Sequence, residues 1–97
     1  MENISIEPTK KSLEVECSPG YFKLSGNSIL SDPSKFFQPI VEWVENYSKD
    51  PKEKTTVDLK LEYVDTASVQ SVFDIMRMFK PLQEKEKEVA VNFYFEF

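Results

Sequence analysis

The sequence contains no histidine and a single cysteine, Cys17. The usual ligand sets for zinc, copper and haem are therefore missing, and histidine-based acid–base or triad chemistry is excluded. A lone cysteine cannot close an internal disulfide, which fits a reducing compartment. Cys17 shares strand parity with Leu13 and Val15 and reads as a small core residue rather than a nucleophile, which would need an activating cation beside it. No apolar run approaches the roughly 20 residues that span a bilayer, and Met1-Glu2-Asn3 opens neither a basic nor an apolar leader. Lysines are mixed with glutamates and the net charge is −5, which disfavours nucleic acid and anionic lipid as partners. These absences describe a cytoplasmic protein without a cofactor, metal or catalytic constellation.

At 97 residues, 40% hydrophobic and with eight phenylalanines, the chain has the material for one modest core and thus one domain. Ile4 to Pro8 reads as a short strand or extended arm. Ser12 to Cys17 alternate, and Ser18-Pro19-Gly20 signals a turn into a second strand over Tyr21–Ser25, with Phe22 and Leu24 inward. Asp32 is an N-cap candidate and Pro33 suits the first helical position. From there Phe36, Ile40, Trp43, Val44 and Tyr47 mark the apolar face of a helix running to about Lys49, with Pro39 inside it. Thr55 to Val64 alternate as a strand, Val57, Leu59, Leu61 and Tyr63 on one side and Asp58, Lys60 and Glu62 on the other. The latter three read as a solvated mixed-charge face rather than an acid–base pair. A second helix is expected from Thr66 to Lys80, stopping before Pro81, with Val69, Val72, Phe73, Met76 and Phe79 as its core stripe. Ser68, Ser71, Ile75 and Met78 form a neighbouring ridge, either incidentally exposed or used by a partner. Gln83 to Glu88 reads as a charged loop. Val89, Val91, Phe93, Phe95 and Phe97 then mark a closing strand.

The junction Asp65-Thr66-Ala67-Ser68, where the clearest strand hands over to a helix, organises this pattern. Asp, Thr and Ser are good N-caps. The same position also suits a phosphorylated hydroxyl, because the helix dipole favours an added anion.

Several stretches carry a family resemblance. Tyr63-Val64-Asp65-Thr66-Ala67-Ser68 is similar to the Tyr-aromatic-Asn-Thr/Ser-Ser-Ser junction of the SiaC family of bacterial regulatory phosphoproteins. In its chemistry the junction is also similar to that of the STAS-fold anti-sigma-factor antagonists. Gly26-Asn27-Ser28-Ile29, then Phe36-Phe37-Gln38-Pro39 and Trp43-Val44-Glu45-Asn46-Tyr47, resemble the SiaC family's Gly-x-Ser-Ile, Phe-Tyr-x-Pro and Trp-Leu-x-x-Tyr. The closing strand resembles its Val-x-Trp-Tyr-Tyr-Glu, with Phe93 replacing Trp.

The resemblance implies a STAS-like two-layer α/β fold, a mixed sheet with both helices on one face. It also implies a non-enzymatic switch with Thr66 as the phosphorylated residue and Ser68 as the alternative. A protein kinase would add the phosphate and a metal-dependent phosphatase remove it. The unphosphorylated form would bind and activate a client such as a diguanylate cyclase, with cyclic di-GMP signalling and biofilm formation or surface attachment as the output. Asp65, Thr66, Ser68, Ser71, Ile75 and Met78 are the expected partner-binding residues. Members of that family continue past the closing strand with an acidic stretch and another helix, so residues 1–97 are expected to be a single SiaC-like domain without that helix. A constitutive STAS-like interaction module, or a partner-switching protein of the anti-sigma-factor-antagonist type, is the alternative reading.

Overall fold

Alternation of apolar and polar residues sets the strands, and the structure, a computed structural model describing residues 3–94, orders them as they occur in the chain. Strands β1 (Ile4–Ile6), β2 (Glu14–Ser18) and β3 (Tyr21–Ser28) pair antiparallel. Helix α1 (Pro33–Tyr47) carries the chain over to β4 (Lys54–Val64), parallel to β3. Helices α2 (Thr66–Met78) and α3 (Lys80–Glu84) lead to β5 (Glu88–Phe93), parallel to β4. The result is a five-stranded mixed sheet in the order β1-β2-β3-β4-β5. Crossovers that advance in one direction and share one hand place their helices on one face, giving the expected two-layer STAS-like architecture.

Burial follows this layering. Val15 and Cys17 of β2, Phe22 and Leu24 of β3, and Val57 and Leu59 of β4 are sealed beneath the helices. The residues between them on the strands turn away from the core. Across that open face Lys23 pairs with Glu14 at 2.6 Å, and Asp58 accepts from Tyr21 Oη and Asn92 Nδ2, both at 2.9 Å. The Asn92 amide, and after it the Tyr21 hydroxyl, hold the Asp58 carboxyl below its ordinary range against the opposing effect of burial. An anchored carboxylate of this kind is a poor proton donor at neutral pH, in keeping with a solvated polar ladder.

Helix α1 begins as its sequence directs. Asp32 Oδ1 accepts from the Lys35 N–H at 3.4 Å, and Pro33 stands in the first turn, where no donor is lost. The helix runs through Pro39, which faces solvent, so water can satisfy the carbonyl that proline leaves without a donor. Phe37, Ile40, Trp43, Val44 and Tyr47 are buried, with Trp43 only 6% exposed and stacked on Tyr47 at 5.1 Å between ring centroids.

The Tyr47 hydroxyl is a polar anchor in this core. It accepts from the N–H groups of Gly20 and Lys52, both at 3.1 Å, and lies 2.7 Å from Thr55 Oγ1. With its lone pairs occupied, its proton goes to Thr55. It thereby ties the β2–β3 turn and the α1–β4 connector to the start of β4. Gly20 itself sits at φ 89°, in the left-handed region that favours glycine. Tyr47→Phe strands three partners at once, and a destabilisation of about 1–3 kcal/mol is expected. The shift in urea midpoint at unchanged m-value is the measurement; no shift would show that water replaces the hydroxyl.

The structure corrects three expectations from the sequence. The second helix ends at Met78, and Lys80–Glu84 forms α3 where a stop and a charged loop were expected. Pro81 lies in the first turn of α3, where its missing N–H is harmless, and Leu82 is completely buried. Secondly, α2 is rotated relative to its expected stripe. Ser68 and Ile75 are fully buried with Val72 and Phe79, whereas Phe73 is 56% exposed. Thirdly, the inward alternation of β4 breaks before Tyr63. Gly26 pairs with Leu61 but Asn27 pairs with Tyr63, so Glu62 is an extra residue that bulges between them. One inserted residue reverses the facing of the residues beyond it, and Tyr63 turns to the open side, 59% exposed. The expectations for Phe95 and Phe97 lie outside the described residues.

Candidate functional site

The carboxyl end of β4 meets the amino end of α2 at Asp65. This residue is extended, at φ −71° and ψ 168°, and its side chain caps the helix. Oδ1 accepts from the Ser68 N–H at 2.8 Å. Oδ2 accepts from the Leu30 N–H at 3.1 Å, reaching across to the chain that leaves β3. The Asp65 N–H donates to the Ser28 carbonyl at 2.9 Å, and its carbonyl accepts from Val69, also at 2.9 Å. Hydrogen bonds from the Ser68 hydroxyl, then the Ser68 N–H and the Leu30 N–H, hold the Asp65 carboxyl below its ordinary range, desolvation opposing them.

Thr66 and Ser68 occupy contrasting places. Ser68 is completely buried and its Oγ accepts from Ser28 Oγ at 2.7 Å; Ser28 is equally buried. This contact explains the rotation of α2, since two paired hydroxyls can enter the core where an unpaired one would be costly. Thr66 is exposed in the first turn of α2, and its hydroxyl makes no hydrogen bond among the described residues. A macromolecule can approach Thr66 Oγ1 from solvent, whereas Ser68 Oγ is reached only by opening the helix–sheet contact.

The local field is mixed. The helix dipole favours an anion at Thr66, while Asp65 alongside opposes one. Arg77, the only arginine in the sequence, lies near the far end of α2 and pairs with Asp74 at 3.2 Å. It is about 16 Å along the axis from Thr66 at 1.5 Å per residue.

The expected partner-binding set is therefore divided. Asp65 and Thr66 sit together at the junction, Ser71 and Met78 are partly exposed, and Ser68 and Ile75 are sealed in the core. The residues that share Thr66's exposed helix face are Gln70, Phe73 and, near the far end of the helix, Arg77, spaced at i+4, i+7 and i+11. Among the described residues, no group of three or more cysteine, aspartate or glutamate side chains is arranged to hold a metal ion, and no helix is long and apolar enough to cross a membrane. Leu30 was not singled out from the sequence, and Ser28 only as part of the Gly26-Asn27-Ser28-Ile29 resemblance, not as a partner of the junction. Ser28 lies beyond the expected end of its strand at Ser25 and is the last residue of β3, and nothing local indicates that its hydroxyl meets one forty residues later.

Comparison with known proteins bears on this geometry. The model of the family described as SiaC family regulatory phosphoproteins matches residues 6–97. An uncharacterized protein of Pseudomonas aeruginosa strain UCBPP-PA14 is 20% identical over 98 aligned residues, covering 99% of this chain and 78% of the relative. The crystal structure of apo-SiaC from Pseudomonas aeruginosa superposes with a TM-score of 0.90 at 20% identity, covering 99% of this chain and 81% of the other. A crystal structure of the diguanylate cyclase SiaD in complex with its activator SiaC, from the same organism, contains a chain matching at a TM-score of 0.82 and 21% identity. That match covers 91% of this chain and 74% of the other.

Proposed function

Because the chain belongs to the SiaC family of regulatory phosphoproteins, we propose that it is a cytoplasmic signalling switch set by the phosphorylation state of Thr66. A protein kinase transfers the terminal phosphoryl group of a nucleoside triphosphate to Thr66 Oγ1, and the hydroxyl proton leaves to the kinase's base. A metal-dependent phosphatase passes the same group to water and restores the hydroxyl. The unphosphorylated form binds and activates a client, and a diguanylate cyclase is the client class we assign. The support is that a structurally similar SiaC chain is the activator bound to the diguanylate cyclase SiaD. The output is then cyclic di-GMP signalling and surface attachment.

The observation that carries the choice of residue is the contrast between an exposed Thr66 hydroxyl, unbonded among the described residues, and a buried, bonded Ser68 hydroxyl. The client surface we assign starts at Asp65 and Thr66 and continues over Gln70 and Phe73, with Ser71 and Met78 at its margin. Ser68 and Ile75 support it from beneath. Phe73, exposed on the same helix face as the acceptor hydroxyl, supplies an aromatic anchor of the kind that dominates interface energetics.

Intact-mass and fragment spectra of the protein isolated from its own cells test the assignment. A species carrying one phosphate, located on Thr66, is the expected result. A phosphate located on Thr55, Thr56 or Ser28 would overturn it.

A further inference from the structure

We propose that the Asp65 carboxylate is a latch between α2 and the Ile29–Leu30 stretch, and that a phosphate on Thr66 opens it. The proposal rests on Thr66 as the phosphorylated residue. Asp65 divides its two oxygens between elements far apart in sequence. Oδ1 holds the Ser68 N–H within α2, and Oδ2 holds the Leu30 N–H on the chain leading from β3 to α1. Leu30 is partly buried against the core, and Ile29 beside it is 43% exposed. Ile29 is tied separately, its N–H donating to the Lys11 carbonyl at 2.8 Å, so the latch decides how firmly Leu30 is held beside the junction.

A phosphate on Thr66 adds about −1.5 to −2 charges at the residue adjoining Asp65. Two anions then face each other across one helix end, and both seek the first-turn N–H groups. The phosphate carries the larger charge and competes more strongly for those N–H groups, so the Asp65 side chain is the group displaced. Rotation of Asp65 into solvent removes the acceptor from Leu30. The Asp65 N–H bond to the Ser28 carbonyl does not involve the carboxylate, and Ser68 Oγ still accepts from Ser28 Oγ when the Ser68 hydroxyl loses its own bond to the carboxylate. They keep the end of β3 in place, so release is confined to the stretch beyond Ser28. Phosphorylation thus changes the shape of the surface beside Thr66 as well as its charge.

The test is amide hydrogen exchange by NMR on the full chain, with phosphothreonine installed at position 66 by semisynthesis. That route reads the latch whether or not a kinase uses Thr66 in cells, which spectra of the cellular protein decide separately. Asp65→Ser keeps a capping hydroxyl for Ser68 but is too short to hold Leu30; Asp65→Asn keeps the side-chain length but offers one acceptor oxygen to the two N–H groups that the carboxylate holds. In Asp65→Ser and in the phosphorylated chain, the Leu30 amide is expected to exchange about tenfold faster or more, the amides of Val57 and Leu59 remaining unchanged. Phosphorylating the Asp65→Ser variant should add no further acceleration, because the latch is already open. Unchanged Leu30 exchange in Asp65→Ser would show that the carboxylate does not hold the stretch. Accelerated exchange in that variant but not in the phosphorylated native chain would show that the phosphate does not open it.

Discussion

Replacing Trp43 by alanine is expected to destabilise the fold by about 3–5 kcal/mol, the usual cost of removing a large buried aromatic side chain. The indole is 6% exposed, lies on the core face of α1 among Ile40, Val44 and Tyr47, and stacks on the Tyr47 ring with 13° between the ring planes. Its removal leaves a cavity beside the residue whose hydroxyl ties the Gly20 turn to Thr55. Domains usually have about 5–15 kcal/mol in total, so this one change takes a large share of the available stability. Urea unfolding measures it, and Trp43→Phe, which keeps a ring at the site, should lose less. A loss under about 1 kcal/mol would mean that the neighbouring side chains collapse into the space. As the sequence's only tryptophan, Trp43 also serves as the probe in the native protein, where a blue-shifted emission that quenchers reach poorly is expected.

The second large effect is on binding. The unphosphorylated protein should bind its client at least tenfold more tightly than the Thr66-phosphorylated form, as measured by titration calorimetry. Docking over Thr66 strips water from the phosphate, and this chain offers no arginine to replace that water: Arg77 is remote and engaged with Asp74. Desolvating an unpaired charge typically costs several kcal/mol, and each 1.4 kcal/mol is about tenfold in affinity. Folding stability should change little, since the dipole's roughly 0.3–1 kcal/mol in favour of the anion is opposed by Asp65. Thr66→Ala should behave as the unphosphorylated form. Thr66→Glu should weaken binding only in part, having one charge and no tetrahedral array of oxygens. Equal affinities of the phosphorylated and unphosphorylated proteins would reduce Thr66 to a residue of the helix cap.

Period-two and helical patterning were enough to read the α/β class and the core face of α1, because each of those segments has a single buried face. Leu13, Val15, Cys17, Phe22 and Leu24 are buried as their alternation requires. The order of the strands rested on the family resemblance, since pairing partners leave no local mark. Patterning failed where a tertiary contact outweighed it. Helix α2 has apolar residues on adjoining ridges, so its rotation was not determined by hydrophobicity. The Ser28–Ser68 bond settled it, drawing Ile75 inward and leaving Phe73 outside. Tyr63 was misplaced because the Glu62 bulge depends on pairing with β3, which a single strand does not record. Pro81 was read as a stop, although proline is equally at home in the first turn of a new helix. At the junction a capped helix start was legible from residue type, but not which of Asp65, Thr66 and Ser68 caps it; the structure gives the cap to Asp65. The second bond of Asp65, to Leu30, joins residues thirty-five apart, and no local rule anticipates it.

Cys17 keeps the molecule's one sulfhydryl out of cellular chemistry. It is 1% exposed in β2, and burial pushes its thiol up to about 12. Thiolate is the form that reacts with peroxides, glutathione disulfide and alkylating reagents, so Cys17 is a poor target for them while the protein is folded. The switch proposed above is written on a hydroxyl instead, and would stay legible through changes in cellular redox state. Labelling of the sulfur reports instead how often β2 opens, giving a clock of native-state fluctuation that needs no engineered probe.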